Sequence, residues 1–328
     1  MYCCEGRHKS SARVNSLAEK KGLKPRALRP GDKIGFLAPA SSFSQEAFER
    51  GCNRLREMGY EPVFSPEIFA RDLYFAGSAE RRLNELTSLL VRDDIAALIC
   101  VRGGYGSNYL LEKLDFNLFT QHPKIFLGCS DITSLLTAIT DRTGLTTFHG
   151  PMIAKDISDG SFDGASWSNA LEGAESWEIV TAGVEVLRSG QAQGRLYGGC
   201  LSMLVASLGT PFEVETEGKI LFIEDIGEKP FRIDRMLMHL HLAGKLKGVR
   251  GFIFGEMLDC RPPAGETYTL QQVILRVLHD YEVPIVYGLK SGHVSSSNIT
   301  LPIGVQAELT ARSEGVALKI LEPATIIR

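Results

Sequence analysis

Short apolar runs at 33–39, 61–64, 95–101 and 124–127 alternate with longer amphipathic stretches at 45–58, 80–91 and 110–114. This pattern leaves few folds open. Runs of this length read as buried strands, and the 3–4 spacing between them reads as helix faces. A β-α-β-α alternation predicts a mostly parallel sheet with helices on both faces. Ligands of such sheets bind beyond the carboxyl ends of the strands. Three loops leave those ends, at 38–44, 102–107 and 128–131. The last is the sharpest. Ile125 to Leu127 is apolar, Gly128 breaks the run, and Ile132, Leu135, Leu136 and Ile139 then mark a helix. A side chain on so tight a strand-to-helix turn is pushed clear of the backbone, and the adjacent helix N-terminus favours developing negative charge. Ser130 and Cys129 are the two nucleophiles available there. A cysteine nucleophile of the glutamine-amidotransferase type sits in a Gly-x-Cys-x-Gly frame. The frame here is Gly128-Cys-Ser-Asp, without the second glycine, and this favours Ser130.

Residues 1–27 read as a polar, basic tail without the apolar core of a signal peptide. Residues 28–150 form the first domain, 151–193 a connection with a short helix, and 194–328 a second domain. The second domain is predicted to have a helix from Gly198 and strands near 219–223, 251–255, 284–287, 306–311 and 316–321. With 328 residues the chain can build two cores. A net charge of −3 gives no electrostatic case for nucleic acid or an anionic membrane surface. No apolar stretch approaches the ~20 residues needed to span a bilayer. Seven scattered cysteines without a Cys-x-x-Cys pair form no disulfide framework and fit a reducing cytoplasm. No zinc-ligand spacing occurs, so no metal or other cofactor is expected.

A serine nucleophile needs a base and an acid to orient it. Of seven histidines, His149 and His293 lie in Gly-flanked loops after strand-like runs. His293 is favoured because it belongs to the second domain, where it can face the first across a cleft. Glu224, Asp225 and Glu228 follow the apolar run 220–223, and Glu224 ends it. Asp131 most simply caps the helix beside it. Arg102-Gly-Gly-Tyr-Gly-Ser107 fits a dinucleotide loop poorly, because the third glycine position is Tyr109 and no acid follows at the required distance. Its glycines fit better as backbone donors to an oxyanion.

Three separated motifs, Val101-Arg-Gly-Gly-Tyr-Gly-Ser, Gly128-Cys-Ser-Asp-Ile-Thr and Leu221-Phe-Ile-Glu-Asp-Ile-Gly-Glu-Lys-Pro-Phe-Arg-Ile-Asp-Arg, together resemble the LD-carboxypeptidases. These are serine peptidases that include muramoyl-tetrapeptide carboxypeptidases and microcin C immunity peptidases. The opening Pro30-Gly-Asp-Lys-Ile-Gly-Phe-Leu-Ala-Pro-Ala-Ser and the later Gly288-x-x-x-Gly-His293 extend the likeness from about residue 28 to the C-terminus. The resemblance implies a triad of Ser130 as nucleophile, Glu224 as orienting acid and His293 as general base. The oxyanion hole would come from the backbone N–H of Asp131 and of Gly103 or Gly104. It also implies an α/β fold: an N-terminal parallel-sheet domain of flavodoxin or Rossmann type and a smaller β-rich C-terminal domain. A cytoplasmic homodimer acting in peptidoglycan recycling is implied as well. The implied reaction cuts an L,D-amide of a murein tetrapeptide to release a terminal D-amino acid. An exopeptidase also needs a cation for the terminal carboxylate, and Arg102, Lys229 and Arg232 are candidates by position. The alternatives are an immunity peptidase cleaving a peptidyl-nucleotide, with Trp167 or Trp177 stacking on a base rather than packing between domains, and a non-catalytic ligand-binding protein.

Overall fold

The structure is a computed structural model that describes residues 22–327. Residues 1–21, with Cys3, Cys4 and His8, lie outside the described residues. Ten elements come first: β1 (Lys33–Leu37), α1 (Gln45–Glu57), β2 (Glu61–Val63), α2 (Ala79–Leu90), β3 (Ile95–Cys100), α3 (Asn108–Leu111), α4 (Asn117–Gln121), β4 (Ile125–Gly128), α5 (Thr133–Thr143) and β5 (Thr147–His149). The helices begin and end where the residues dictate. Ser44 caps α1 by accepting from the Ala47 N–H at 3.3 Å, and Phe48, Cys52 and Leu55 then bury one face. Gly144, in the left-handed region, ends α5. Apart from the edge strand β2, the strands are buried almost throughout, as a sheet covered on both faces requires.

The later elements are α6 (Gly164–Leu171), β6 (Trp177–Ile179), β7 (Glu185–Arg188), β8 (Gly190–Cys200), α7 (Leu201–Ala206), β9 (Lys219–Glu224), α8 (Pro230–Leu242), β10 (Gly251–Gly255), α9 (Leu270–Val277), β11 (Ile285–Leu289), β12 (Leu301–Ile303), β13 (Gln306–Arg312) and β14 (Gly315–Ile320). The first sheet runs β2-β1-β3-β4-β5-β12 and is parallel except for β12. The second runs β6-β14-β13-β8-β9-β10-β11-β7, with β8 to β11 parallel and antiparallel strands on either side. One apolar cluster, from Phe36 and Ile99 to Ile220 and Leu309, runs through both sheets.

Four expectations change. The tail is shorter than expected, because Leu23 bridges Leu145, Arg26 bridges Ile326, and Ala27 and Leu28 are buried. The expected connection at 151–193 contributes both edge strands of the second sheet, β6 and β7. The segment 301–303 crosses back to complete the first sheet beside β5. The helix expected from Gly198 begins at Leu201, after an eleven-residue strand.

Gly198 and Gly199, whose pattern suggests a helix start, lie inside that strand. They serve close approach instead. Gly198 has φ +123°, and a Cβ there would stand 2.0 Å from the Phe222 carbonyl oxygen on β9. A side chain at that position would push apart the two strands that bring Glu224 to the site. Gly198→Ala is therefore expected to destabilise the protein by about 3 kcal/mol or more. The measurement is the denaturant midpoint, which falls without a change in slope.

Candidate active site

The three loops converge as the alternation requires. Ser130 follows β4 through Cys129 and has φ +63°, a left-handed conformation uncommon for a residue other than glycine. Strain of this kind persists only where the surroundings enforce it, and it is typical of an exposed nucleophile turn. Gly103 lies against this turn, and a Cβ there would stand 3.1 Å from Ser130 Oγ. Among the described residues, neither the Gly103 nor the Gly104 N–H has a hydrogen-bond acceptor. Ser130 is partly accessible, whereas Cys129 is fully buried. Burial pushes the Cys129 thiol well above its ordinary range, with nearby Asp156 and Glu224 adding to the effect. A thiol so held is a poor nucleophile.

Asp131 does not cap its own helix, contrary to expectation. Its Oδ2 accepts from the Ser107 N–H at 2.8 Å, and the Ser107 hydroxyl donates to the Asp131 carbonyl at 2.7 Å. The carboxylate thus ties the glycine loop to the nucleophile turn, which fixes the backbone donors of one relative to the other. Burial raises its pKa against the opposing pull of the Ser107 donors.

Glu224 ends β9 with its side chain wholly buried. Its Oε2 accepts from the His293 backbone N–H at 2.9 Å and lies 2.8 Å from His293 Nδ1. Burial opposes the charge, yet His293, with His149 behind it, holds the carboxyl well below the usual carboxylate range. His293 feels the opposite balance. Burial lowers its pKa, but the Glu224 charge outweighs this and raises it above the ordinary 6.5. The Nδ1 contact leaves Nε2 as the ring nitrogen free to meet a hydroxyl. Asp225, the rival acid, accepts from the Ser202 and Ile226 N–H groups at 2.9 Å each. Glu228 pairs with Arg232 at 3.4 Å.

The two sheets meet at this point. Cys200 at the end of β8 donates its N–H to Thr133 Oγ1 at 3.0 Å. His149, on β5, is in register with Gly128, and its Nε2 stands 3.6 Å from Glu224 Oε1. A short path therefore joins the nucleophile strand to Glu224 and on to His293. Sequence position favours His293 over His149, and the structure brings both to the same carboxylate.

The cations expected to bind substrate are spread along the loops. Arg102 donates to the Ser42 carbonyl at 3.0 Å, and Lys229 and Arg232 sit at the start of α8. Lys155 is a further cation near the site, with no motif of its own. Its stem is exposed while its ammonium is shielded, with no hydrogen-bond partner among the described residues; the nearest carboxylate is Asp156 at 3.5 Å. It lies on a π-helical turn, Ile153–Ile157, inside the stretch read as a connection. Its charge reaches His293 and Cys129. Trp167 and Trp177 are buried in the core, so neither ring is open for stacking on a base. Among the described residues no group of three or more His, Cys, Asp or Glu could hold a metal ion, and no helix is long and apolar enough to cross a membrane.

Two family models match the chain, the LD-carboxypeptidase N-terminal domain over residues 34–150 and the LD-carboxypeptidase C-terminal domain over residues 193–309. The chain is 37% identical over 301 residues to a probable murein peptide carboxypeptidase of Bacillus subtilis, covering 90% of this chain and 94% of that one. It is 30% identical over 327 residues to the microcin C7 self-immunity protein of Escherichia coli, covering 89% and 94%. The crystal structure of muramoyltetrapeptide carboxypeptidase from Oxalobacter formigenes superposes with a TM-score of 0.80 at 28% identity, covering 89% of this chain and all of that one.

Proposed function

The chain belongs to the LD-carboxypeptidase family and is a serine-type LD-carboxypeptidase; on that premise we propose that Ser130, Glu224 and His293 are its triad and that its substrate is a murein tetrapeptide. His293 Nε2 takes the proton of Ser130 Oγ as the oxygen attacks the carbonyl of the terminal L,D-amide. The N–H of Asp131, with that of Gly103 or Gly104, receives the negative charge on the carbonyl oxygen. Collapse breaks the C–N bond, and His293 returns the proton to the departing D-amino acid. Water then repeats the sequence on the acyl-serine. The observation that carries this reading is the buried Glu224–His293 contact at 2.8 Å, made from the second sheet toward a turn that presents Ser130 at φ +63°.

The murein reading is preferred over a peptidyl-nucleotide for two reasons. The Bacillus relative shares more of this sequence than the immunity protein does. Burial of both tryptophans also removes the stacking rings on which the nucleotide reading leaned. Lys155 joins Arg102, Lys229 and Arg232 as a candidate for the terminal carboxylate, because its charge reaches His293 and its ammonium, 3.5 Å from Asp156, has no hydrogen-bond partner among the described residues. The proposal also places the enzyme in the cytoplasm, as a homodimer serving peptidoglycan recycling, with an N-terminal domain carrying the nucleophile and a C-terminal domain carrying the acid and base. Buried free thiols at Cys52, Cys100, Cys129, Cys200 and Cys260 suit a reducing compartment.

Incubation with L-Ala-γ-D-Glu-meso-diaminopimelate-D-Ala is expected to release D-Ala, at a rate that chelator does not change. A wild-type enzyme that leaves this peptide intact but cleaves a peptidyl-adenylate analogue would transfer the function to the immunity class. Activity abolished by chelator would overturn the serine mechanism.

A further inference from the structure

The glycine loop after β3 has little shape of its own. Gly103, Gly104 and Gly106 fall within four residues, and Gly104 and Gly106 have φ of +95° and +131°. Glycine restricts the chain least, so such a loop keeps one conformation only where groups outside it impose one. An oxyanion donor is useful only within about 2.7–3.1 Å of the oxygen it serves. Whatever restrains this loop therefore bears on the chemistry.

Arg82 restrains it from α2, a helix that carries none of the triad. Its side chain is 1% exposed. Nη1 donates to the Pro39 carbonyl at 2.6 Å, in the loop after β1, and to the Gly106 carbonyl at 2.7 Å, in the glycine loop. A guanidinium only donates and a carbonyl only accepts, so the direction of both bonds is fixed. The Gly106–Ser107 peptide is held at its other end as well, because the Ser107 N–H donates to Asp131 Oδ2 at 2.8 Å. One peptide unit thus lies between a buried cation and a buried carboxylate, with its C=O toward the first and its N–H toward the second. Each of these charges stabilises the other. The fit requires glycine at 106, where a Cβ would stand 2.9 Å from Arg82 Nη1 and 2.7 Å from Phe75 Cδ1.

The other end of the loop is tied to Ser41. The Ser41 N–H donates to the Gly103 carbonyl at 3.2 Å, and Ser41 Oγ accepts from the Tyr105 N–H at 3.0 Å. In a trans peptide the C=O and N–H point opposite ways, so this contact turns the Gly104 N–H away from Ser41. The loop that carries Ser41 has an anchor of its own. The Ala38 N–H donates to Glu85 Oε2 at 2.8 Å, and Arg81 donates to the Ala38 carbonyl at 3.2 Å. Loss of Arg82 therefore loosens the glycine loop more than the loop after β1.

We propose that Arg82 is a positioning residue for the oxyanion hole, which clamps the Gly106–Ser107 peptide against Asp131 and so sets the glycine-loop donors at a fixed distance from the nucleophile turn. This rests on Ser130 as the nucleophile, with the N–H of Asp131 and of Gly103 or Gly104 as oxyanion donors. Arg82 acts through the loop and not on the substrate.

The test separates transition-state binding from ground-state binding. Its probes are the product tripeptide, L-Ala-γ-D-Glu-meso-diaminopimelate, and an analogue with a boronic acid in place of the carboxyl freed by cleavage. Ser130 Oγ adds to the boron and its proton passes to His293, which leaves a tetrahedral boronate with one oxygen in the hole. Arg82→Met keeps the stem and removes both donors. It is expected to lower kcat by about 10²-fold with KM changed by less than about threefold. Boronate affinity is expected to fall as far as kcat, and tripeptide affinity to stay. A folded variant that loses affinity for both probes alike, or for neither, overturns the proposal. A second measurement needs no variant. In the ligand-free wild-type enzyme, NMR order parameters of the Gly103, Gly104 and Ser107 amides are expected to equal those of β3. A glycine loop that becomes rigid only when the boronate binds overturns the proposal whether or not Arg82→Met folds. Failure of the underlying assignment shows separately, as a wild-type enzyme that binds the boronate no more tightly than the tripeptide, and it removes the hole that Arg82 would serve.

Discussion

Ser130→Ala is expected to lower kcat/KM for D-Ala release by about 10⁴- to 10⁶-fold, the loss typical when a catalytic serine is removed while binding groups remain. Cys129→Ser is expected to keep turnover, because that side chain faces the core and its thiol is held protonated by burial. The two variants separate adjacent candidates on one turn. D-Ala release that persists in Ser130→Ala and disappears in Cys129→Ser would reassign the nucleophile. Stability supplies an independent reading. Ser130 is held at φ +63°, where an L side chain costs about 1 kcal/mol or more that glycine does not incur. Ser130→Gly should therefore be as inactive as Ser130→Ala, yet unfold at a higher denaturant midpoint. An equal or lower midpoint for the glycine variant would mean that the turn stores no strain.

The turn was legible because its signals are local. An apolar run, a glycine and then 3–4 spacing mark a strand, a break and a helix within thirteen residues. The parallel sheet was legible for the same reason, since each strand and helix announces itself before the next begins. What stayed hidden depends on contacts distant in sequence. Gly198 of β8 is a glycine because Phe222 passes so closely, and Gly194 and Gly199 likewise face Gly218 and Thr133; no feature within 190–200 points to these neighbours. β12 has only three residues, and its place beside β5 is set by pairing across about 150 positions of chain. β6 and β7 are short edge strands in a polar stretch, and of their residues only Trp177 and Ile179 are buried. At the site, the choice of Glu224 over Asp225 and Glu228 came from the family likeness. The geometry now supplies a physical reason, since the other two carboxylates have partners of their own. His149 and Lys155 could not be placed from sequence because what sets them apart is a shielded nitrogen without a hydrogen bond among the described residues, beside a buried carboxylate, which is a property of the assembled molecule.

Glu224→Gln is expected to lower kcat by about 10⁴-fold while the protein stays folded, by analogy with the loss seen when the acid of a serine triad becomes an amide. The amide has nearly the shape of the acid, so packing at the end of β9 is kept. What is lost is an acceptor that is charged at both oxygens. His293 now donates Nδ1–H and its backbone N–H to Oε2. An amide NH₂ in that place would force the ring into the tautomer with the proton on Nε2, where it cannot take one from Ser130. If the amide turns its oxygen toward His293 instead, the charge that holds and polarises that ring is still lost, and its NH₂ faces the buried His149. Either arrangement is poor, which is why a one-atom change should cost so much. The residual activity carries a sign as well. In the wild type the Glu224 charge raises the pKa of His293 above 6.5, so the acid limb of kcat/KM lies above pH 6.5 and activity is lost as the pH falls through it. Without the carboxylate the surviving activity should have its acid limb at lower pH. An acid limb that stays in place, or a Glu224→Gln variant within tenfold of wild type, would remove Glu224 from the role of orienting acid.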